Sequence, residues 1–204
     1  MQKIYLYRMT HILNIPHILQ KGITHRLSPD RNRGYIEIGD SSLIATRQAT
    51  VLSNGRRLSD FTPFYFGPKM PMLYVIQNGF NGVEKRATRE IIYCVSSVQK
   101  ISDLNLTFFF TDGHAASMYS SVYDKHQLEA IETLVDFQAV KTTFWHSEDD
   151  TDLKRRKEAE FLVLGDIPIQ AILGYIAFDE IAKNNLLEFG ISSEKIVIRP
   201  EAYF

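Results

Sequence analysis

Lys154-Arg155-Arg156-Lys157-Glu158-Ala159-Glu160-Phe161-Leu162-Val163 passes in one step from dense charge to an unbroken apolar run. The apolar part continues to Leu164 and has the length and composition of a buried strand, Glu160–Leu164, while Asp152–Ala159 ahead of it reads as a short helix. A carboxylate at the mouth of a buried strand is costly unless something compensates its charge. Groups that bear such a cost concentrate where they do chemistry, which makes Glu160 the first catalytic candidate. The plainer alternative is a helix-to-strand junction carrying a solvated acid.

Working outward, Lys3 to Met9 mixes aromatic and β-branched residues with polar ones and predicts a strand. Asn14 as N-cap, Pro16 in the first turn and Gly22 as terminator predict a helix over Ile15–Lys21. A loop rich in Arg, Asn, Pro and Gly follows from His25 to Gly34. Ser41 or Ser42 is placed to cap a short helix through Arg47, and Ser53-Asn54-Gly55 marks a turn. Further on, Ile91–Val98 and Leu104–Phe110 read as strands, and Asp124–Leu134 as a helix. His146–Asp152 reads as an exposed loop, and Tyr175–Phe178 and Lys195–Arg199 as strands flanking a helix over Asp179–Glu188. The run Pro63–Tyr74, with its prolines and aromatics, reads as a rigid packed connection. Short strands and helices without regular βαβ alternation predict an α+β fold, and 204 residues at 45% hydrophobic fit one domain over residues 1–204.

Composition excludes several function classes. Cys94 is the sole cysteine, so there is no intrachain disulfide and no cysteine-based zinc site; its apolar setting suggests a small buried residue. His11, His17, His25, His114, His126 and His146 form no metal-ligand spacing, and no metal is expected. Neither G-x-x-x-x-G-K-[ST] nor G-x-G-x-x-G occurs, so a nucleotide would need another scaffold. No stretch approaches membrane-spanning length, and a cytoplasmic protein is expected. Residues 1–110 hold 14 Lys and Arg against 7 Asp and Glu, whereas residues 111–204 hold 9 against 17. That asymmetry suits a polyanion partner, although for Arg26, Arg31, Arg33, Arg56 and Arg57 one by one solvated loop charge is the simpler account.

Four separated motifs, in order, carry a resemblance: Thr10-His11-Ile12, the run Pro63–Tyr74, Thr111-Asp112-Gly113-His114-Ala115, and the stretch ending in Glu160. Together they resemble the DarT toxins, DNA ADP-ribosyltransferases paired with a DarG macrodomain antitoxin, from Tyr7 to about Phe178. The resemblance implies an ADP-ribosyltransferase-like fold: two small, mainly antiparallel sheets forming an NAD cleft, with peripheral helices. It implies NAD as co-substrate, single-stranded DNA as acceptor, thymidine as the modified base and a DarG-like macrodomain antitoxin as partner. Thr10, His11 and Ile12 are then implied at the nicotinamide end of NAD, with Gly22, Leu27 and Ser28 continuing the pocket. Unaided, His11 reads as a core histidine bonded to backbone. Arg47 falls at the family's second catalytic position, where a planar guanidinium can hold a pyrophosphate or base carbonyl and electrostatically ease loss of the thymine imide proton. His114, Tyr65 and Tyr119 are the candidates for substrate binding, and the segment from about Ala115 to Leu153 matches the family's substrate loop.

One departure stands out. The position two before the catalytic glutamate is often glutamine in this family, and here it is Glu158. Glu-x-Glu is similar to the pattern of arginine-specific protein ADP-ribosyltransferases, which keeps a protein-modifying enzyme as the rival reading. A helix-terminal Glu158 facing solvent is the alternative account of the same residue. A third reading, from another class, is a catalytically inactive nucleic-acid-binding module.

Overall fold

A computed structural model describes residues 2–53 and 55–204. Its strands are β1 (Tyr5–His11), β2 (Phe61–Tyr65), β3 (Ile91–Ser97), β4 (Phe108–Thr111), β5 (Val122–Tyr123), β6 (Glu160–Leu164), β7 (Gly174–Ala177) and β8 (Ile196–Ile198). The α-helices are α1 (Ile15–Lys21), α2 (Ser41–Ala49), α3 (Pro71–Asn78), α4 (Val98–Asp103), α5 (Ile131–Leu134), α6 (Phe137–Lys141), α7 (Leu153–Lys157) and α8 (Glu180–Glu188). The strands form one sheet in the order β5-β4-β6-β2-β1-β3-β7-β8, antiparallel except for the β7–β8 pair. The two expected sheets are thus two four-stranded halves of a continuous one.

The seam between those halves is narrow. β1 pairs with β3 along seven residues and β2 with β6 along five, yet β1 and β2 share only the Tyr7↔Tyr65 register. Pro63 supplies the reason. Its carbonyl oxygen accepts from Arg8 Nη1 of β1 at 3.0 Å, so this residue turns its backbone polar edge toward β1. A strand residue presents its N and its carbonyl to the same neighbour. The N–H that proline lacks is therefore the one that would have extended the β1–β2 ladder.

Strand alternation distributes side chains into layers. On β3, Ile92 and Cys94 enter the main core while Ile91 and Tyr93 enter a second core on the opposite face, with Leu73 and Ile76 of α3 and with Tyr203. On β6, Phe161 and Val163 join the main core, and Leu162 packs with Leu58, Phe61 and Ala115. Cys94 is fully buried, as its setting suggests, and burial pushes its thiol up to about 12. Among the described residues no helix is long and apolar enough to cross a membrane.

Several expected elements shift. β1 begins and ends two residues later than Lys3–Met9. Pro63–Tyr74 is no plain connection: it holds the end of β2 and the start of α3. β4 starts only at Phe108, because α4 occupies Val98–Asp103 and Asn105 takes a left-handed φ of 54°. Asp124–Leu134 divides into a 3-10 turn over Lys125–Ala130 and α5. Asn14 precedes α1, but its side chain caps nothing; it donates to the Ile36 carbonyl and accepts the Ile36 N–H, pinning residues 31–40 to the domain. The turn at Ser53-Asn54-Gly55 includes Asn54, which lies outside the described residues; Val51 and Arg57 on either side are bridged.

Gly22 ends α1 at φ 79°, and a Cβ there would sit 2.2 Å from the Ile167 carbonyl oxygen. Backbone bonds of 2.9 Å run both ways between Ile23 and Ile167, so that carbonyl is fixed. Gly22→Ala meets a positive φ and a steric wall together, each unfavourable for an L side chain. Thermal unfolding of Gly22→Ala should fall by at least about 5 °C relative to wild type, the shift expected for a loss of about 2 kcal/mol in a chain of this size.

Candidate active site

Glu160 opens β6 with its side chain only 1% exposed. Its register partner is Tyr65 on β2, and its N–H donates to Thr111 Oγ1 at 3.0 Å. Two donors meet the carboxylate: Arg47 Nη1 lies 2.7 Å from Oε2, and the Ala115 N–H donates to Oε1 at 3.0 Å. Buried carboxylates persist only when charge and lone pairs are both answered, and here they are. The solvated-acid reading is excluded.

Arg47 arrives from α2, a surface helix with no buried residue. Its start is fixed by Asp40, whose Oδ1 accepts from Ser42 N–H at 2.8 Å and from the Ser42 hydroxyl at 2.6 Å. Those bonds, the hydroxyl's foremost, hold the Asp40 carboxyl below the usual range. Asp40, not Ser41 or Ser42, is the cap. Arg47 Nη2 is buried with no hydrogen-bond partner among the described residues, a donor open to a bound group.

A cavity of about 400 Å³ opens beside this pair, along the seam. Arg8, Met9, Thr10, Pro63 and Tyr65 line it from the sheet, Leu43, Ile44 and Arg47 from α2, and Thr24, His25, Arg26 and Arg31 from the arginine-rich loop. That volume lies in the range of small-molecule sites. Glu160 itself is not on the wall, whereas its ion-pair partner Arg47, its register partner Tyr65 and His114, which precedes Ala115, are. Burial, and next the Glu160 charge, push the Tyr65 hydroxyl far above its ordinary value, so it is a neutral donor. Glu158 caps the end of α7 half-buried, and burial raises its carboxyl above the usual range while His114 and Lys154 pull it down. It is not a freely solvated acid.

Of the residues singled out in the sequence, the structure gathers Arg47, Thr10, Tyr65 and His114 at the cavity, with Glu160 behind Arg47. Thr10 Oγ1 accepts from Asn14 Nδ2 at 3.1 Å. His11, Ile12, Gly22, Leu27 and Ser28 are not on the wall. His11 is 4% exposed, its Nδ1 accepts from the Leu13 N–H, and burial lowers its pKa, in keeping with its unaided reading as a backbone-bonded core histidine. Ile12 is core, Leu27 is 70% exposed, and the Ser28 hydroxyl donates to Asp166. Tyr119 projects into solvent from the loop after β4. Sequence reasoning gave no role to Asp40 or Asp166, and none individually to Thr111 and Ala115 within the motif Thr111–Ala115. Only Asp40 had a local signal, an acid immediately before two serines.

The basic run before Glu160 is an internal clasp. Arg155 Nη1 reaches Asp112 at 3.0 Å and Ser120 at 3.2 Å, its carbonyl accepts the His114 N–H, and a Cβ on Gly113 would strike its guanidinium. Arg156 bonds Asp136 and Asp150. Lys157 is fully buried, donating to the Val140 carbonyl at 3.1 Å and the Thr142 carbonyl at 2.6 Å, and burial lowers its amine to about 8. The segment between Asp112 and Asp152 is thereby fastened to the helix that leads into Glu160.

Comparison with known proteins places this arrangement in context. The family model described as "ssDNA thymidine ADP-ribosyltransferase, DarT" matches residues 7–204. A DNA ADP-ribosyl transferase of Thermus aquaticus is 35% identical over 176 residues, covering 82% of this chain and 72% of the relative. The DarT of Thermus sp. 2.9 in complex with ADP-ribosylated ssDNA superposes with a TM-score of 0.85 at 28% identity, over 98% of this chain and 96% of that one. The same protein in complex with NAD+ gives 0.81 at 27% identity, over 100% and 99%. A Thermosipho africanus DNA ADP-ribosyl transferase-DNA ADP-ribosyl glycohydrolase fusion protein is 30% identical over 98% of this chain, which spans 48% of the fusion.

Lys157 gives the clasp a pH signature. With its folded pKa near 8 and an ordinary value of 10.5, the unfolded chain binds the extra proton between those limits, so stability rises with pH in that window. The difference in unfolding temperature between wild type and Lys157→Met should therefore grow in favour of wild type from about pH 7 to about pH 9.5. A difference that stays flat in parallel melts across that range counts against a buried, depressed amine.

Proposed function

The chain belongs to the DarT family of single-stranded DNA thymidine ADP-ribosyltransferases, and on that footing we propose that it transfers ADP-ribose from NAD to thymidine in single-stranded DNA, with Glu160 and Arg47 as catalytic residues. The observation that carries the assignment is the buried ion pair at the cavity wall, in which Arg47 Nη1 answers Glu160 while Nη2 keeps an unused donor. An uncommitted, buried guanidinium donor beside an open cavity of this size suits an anionic dinucleotide.

NAD supplies a glycosidic bond whose cleavage leaves its electron pair on nicotinamide and positive charge on the ribose. Glu160 stabilises that charge as it develops, from a position fixed in advance by Arg47 and the Ala115 N–H. Arg47 holds the incoming groups and, as a fixed cation, lowers the cost of losing the thymine imide proton, which passes to solvent as the base bonds to the ribose carbon. Tyr65 and His114 border the same space and orient the base. A single strand is required because the reacting edge is paired in a duplex.

The product is a bulky group on the pairing edge of a base, which stops replication. A glycohydrolase antitoxin of the macrodomain class is proposed as the partner that removes it, since the Thermosipho africanus relative carries both named activities in one chain. Cytoplasmic residence belongs to the same proposal, because NAD and exposed single strands occur together there. The rival arginine-directed reading rests on Glu158 alone.

Incubation with NAD and oligonucleotides of each base, followed by intact mass, should show one ADP-ribose added to thymidine oligomers and none to duplex. Labelling of arginine peptides without DNA labelling would install the rival instead. Glu160→Gln should lower the transfer rate at least ~100-fold, the scale of losing a main electrostatic stabiliser. Arg47→Lys should also lose most transfer although it conserves charge, because an ammonium lacks the paired donors. Unchanged transfer by Arg47→Lys would remove the guanidinium from the mechanism.

A further inference from the structure

One wall of the cavity is made by a segment with no regular structure. Ile23, Thr24, His25 and Arg26 all line it, so its shape depends on what holds these residues in place. The holding groups lie immediately beyond the catalytic strand. The His25 N–H donates to Asp166 Oδ1 at 2.6 Å, and the Ser28 hydroxyl donates to Asp166 Oδ2 at 2.6 Å. Ser28 Oγ in turn accepts the Asp30 N–H at 3.1 Å. The His25 ring spans the loop: Nε2 lies 2.6 Å from the Ser59 carbonyl and Nδ1 accepts the Leu27 N–H, which together select the Nε2–H tautomer. The Ile23–Ile167 backbone pair closes the far side.

Asp166 thus spends one carboxylate oxygen on each end of a four-residue loop, and both bonds are charge-assisted and short. It reaches them because Gly165, at φ 71°, turns the chain directly after β6. The side chain itself is exposed and is not on the cavity wall. Ser28, implied by resemblance as part of the cofactor pocket, is 6% exposed and bonded to Asp166.

We propose that Asp166 is a positioning residue for the co-substrate: it holds His25–Ser28 in the shape that receives NAD, and Ser28 acts through it. The inference rests on the function proposed above. Because Asp166 touches the loop and not the reacting atoms, its loss weakens NAD binding and spares bond cleavage.

The test measures NAD affinity by calorimetry, KM for NAD and kcat for oligonucleotide transfer, and thermal unfolding, for wild type, Asp166→Ala, Asp166→Asn, Ser28→Ala and the Asp166→Ala/Ser28→Ala double variant. Asp166→Ala should raise the KM and Kd for NAD about tenfold, the size of one lost charge-assisted hydrogen bond. Its kcat and unfolding temperature should stay close to wild type. Asp166→Asn should recover part of the affinity, since the amide oxygen still accepts from His25 N–H. The double variant should be no weaker than Asp166→Ala alone; additive losses would put Ser28 directly on NAD and overturn the relay. Unchanged NAD affinity in Asp166→Ala, or parallel losses of kcat and unfolding temperature, would also overturn it. Wild type that binds NAD but labels no DNA would fail the proposed function while the calorimetry still decides the role of Asp166. Wild type that does not bind NAD would overturn both.

Discussion

The Glu160–Arg47 contact, 2.7 Å long, with the carboxylate buried and the guanidinium 17% exposed, is the constraint to which the surrounding structure answers. Taking a carboxylate and a guanidinium out of water costs several kcal/mol for each ion, about what a well-formed pair with further hydrogen bonds returns. Such a pair adds little net stability. Its worth lies in asymmetry: losing either partner leaves an uncompensated charge, at a cost of about 3–5 kcal/mol. The supporting bonds then make sense as ways of keeping each partner in place. Asp40 fixes the start of the helix that delivers Arg47, Thr111 takes the Glu160 N–H, and Ala115 reaches the carboxylate because Gly113 and Arg155 turn the chain back toward it.

That pair stands beside the weakest line of the sheet. Were β1 and β2 laddered along their length, Arg8, Thr10, Pro63 and Tyr65 would be closed into the sheet instead of bordering a cavity. Pro63 opens the seam by withholding one N–H, and Arg8 occupies the carbonyl left beside it. The missing donor at Pro63 coincides with the narrow β1–β2 junction of the continuous sheet, and the cavity lies along that junction.

What was legible in the sequence was local. Glu160–Leu164 was readable to the residue, because a charged run met an apolar run there, and Ile15–Lys21 because Pro16 and Gly22 bracket it. The helix expected over Asp179–Glu188 begins one residue later, because Asp179 is its N-cap. β2 was hidden because proline argues against a strand, and it is tolerated here only at a seam where its missing N–H is useful. Asn14 looked like a cap, but its amide is matched to Ile36, twenty-two residues away, which nothing in its neighbours encodes. Lys154–Lys157 was read only as part of a short helix, because the acids that bind Arg155 and Arg156 are scattered from Asp112 to Asp152 and leave no local signal. The motif resemblance brought Arg47 and Glu160 forward together; their contact spans 113 positions and has no local signature.

β6 emerges as a rail with a clasp at either end. Ahead of it, Arg155, Arg156 and Lys157 fasten the segment from Asp112 to Asp152, which carries His114 and Tyr119. Behind it, Asp166 and Ile167 fasten the segment from Ile23 to Ser28, which carries His25 and Arg26. Under the proposed reaction the first segment meets the acceptor strand and the second meets NAD. Bond transfer requires the attacking base and the ribose carbon to be aligned to within a fraction of an ångström, and small misplacements cost rate steeply. Mounting both walls on the strand that bears Glu160 refers both substrates to a single coordinate frame. β6, with four of its five residues buried, is flanked by two hydrogen-bonded clasps that fix the two segments relative to Glu160, and that is how a fold of short strands achieves registration.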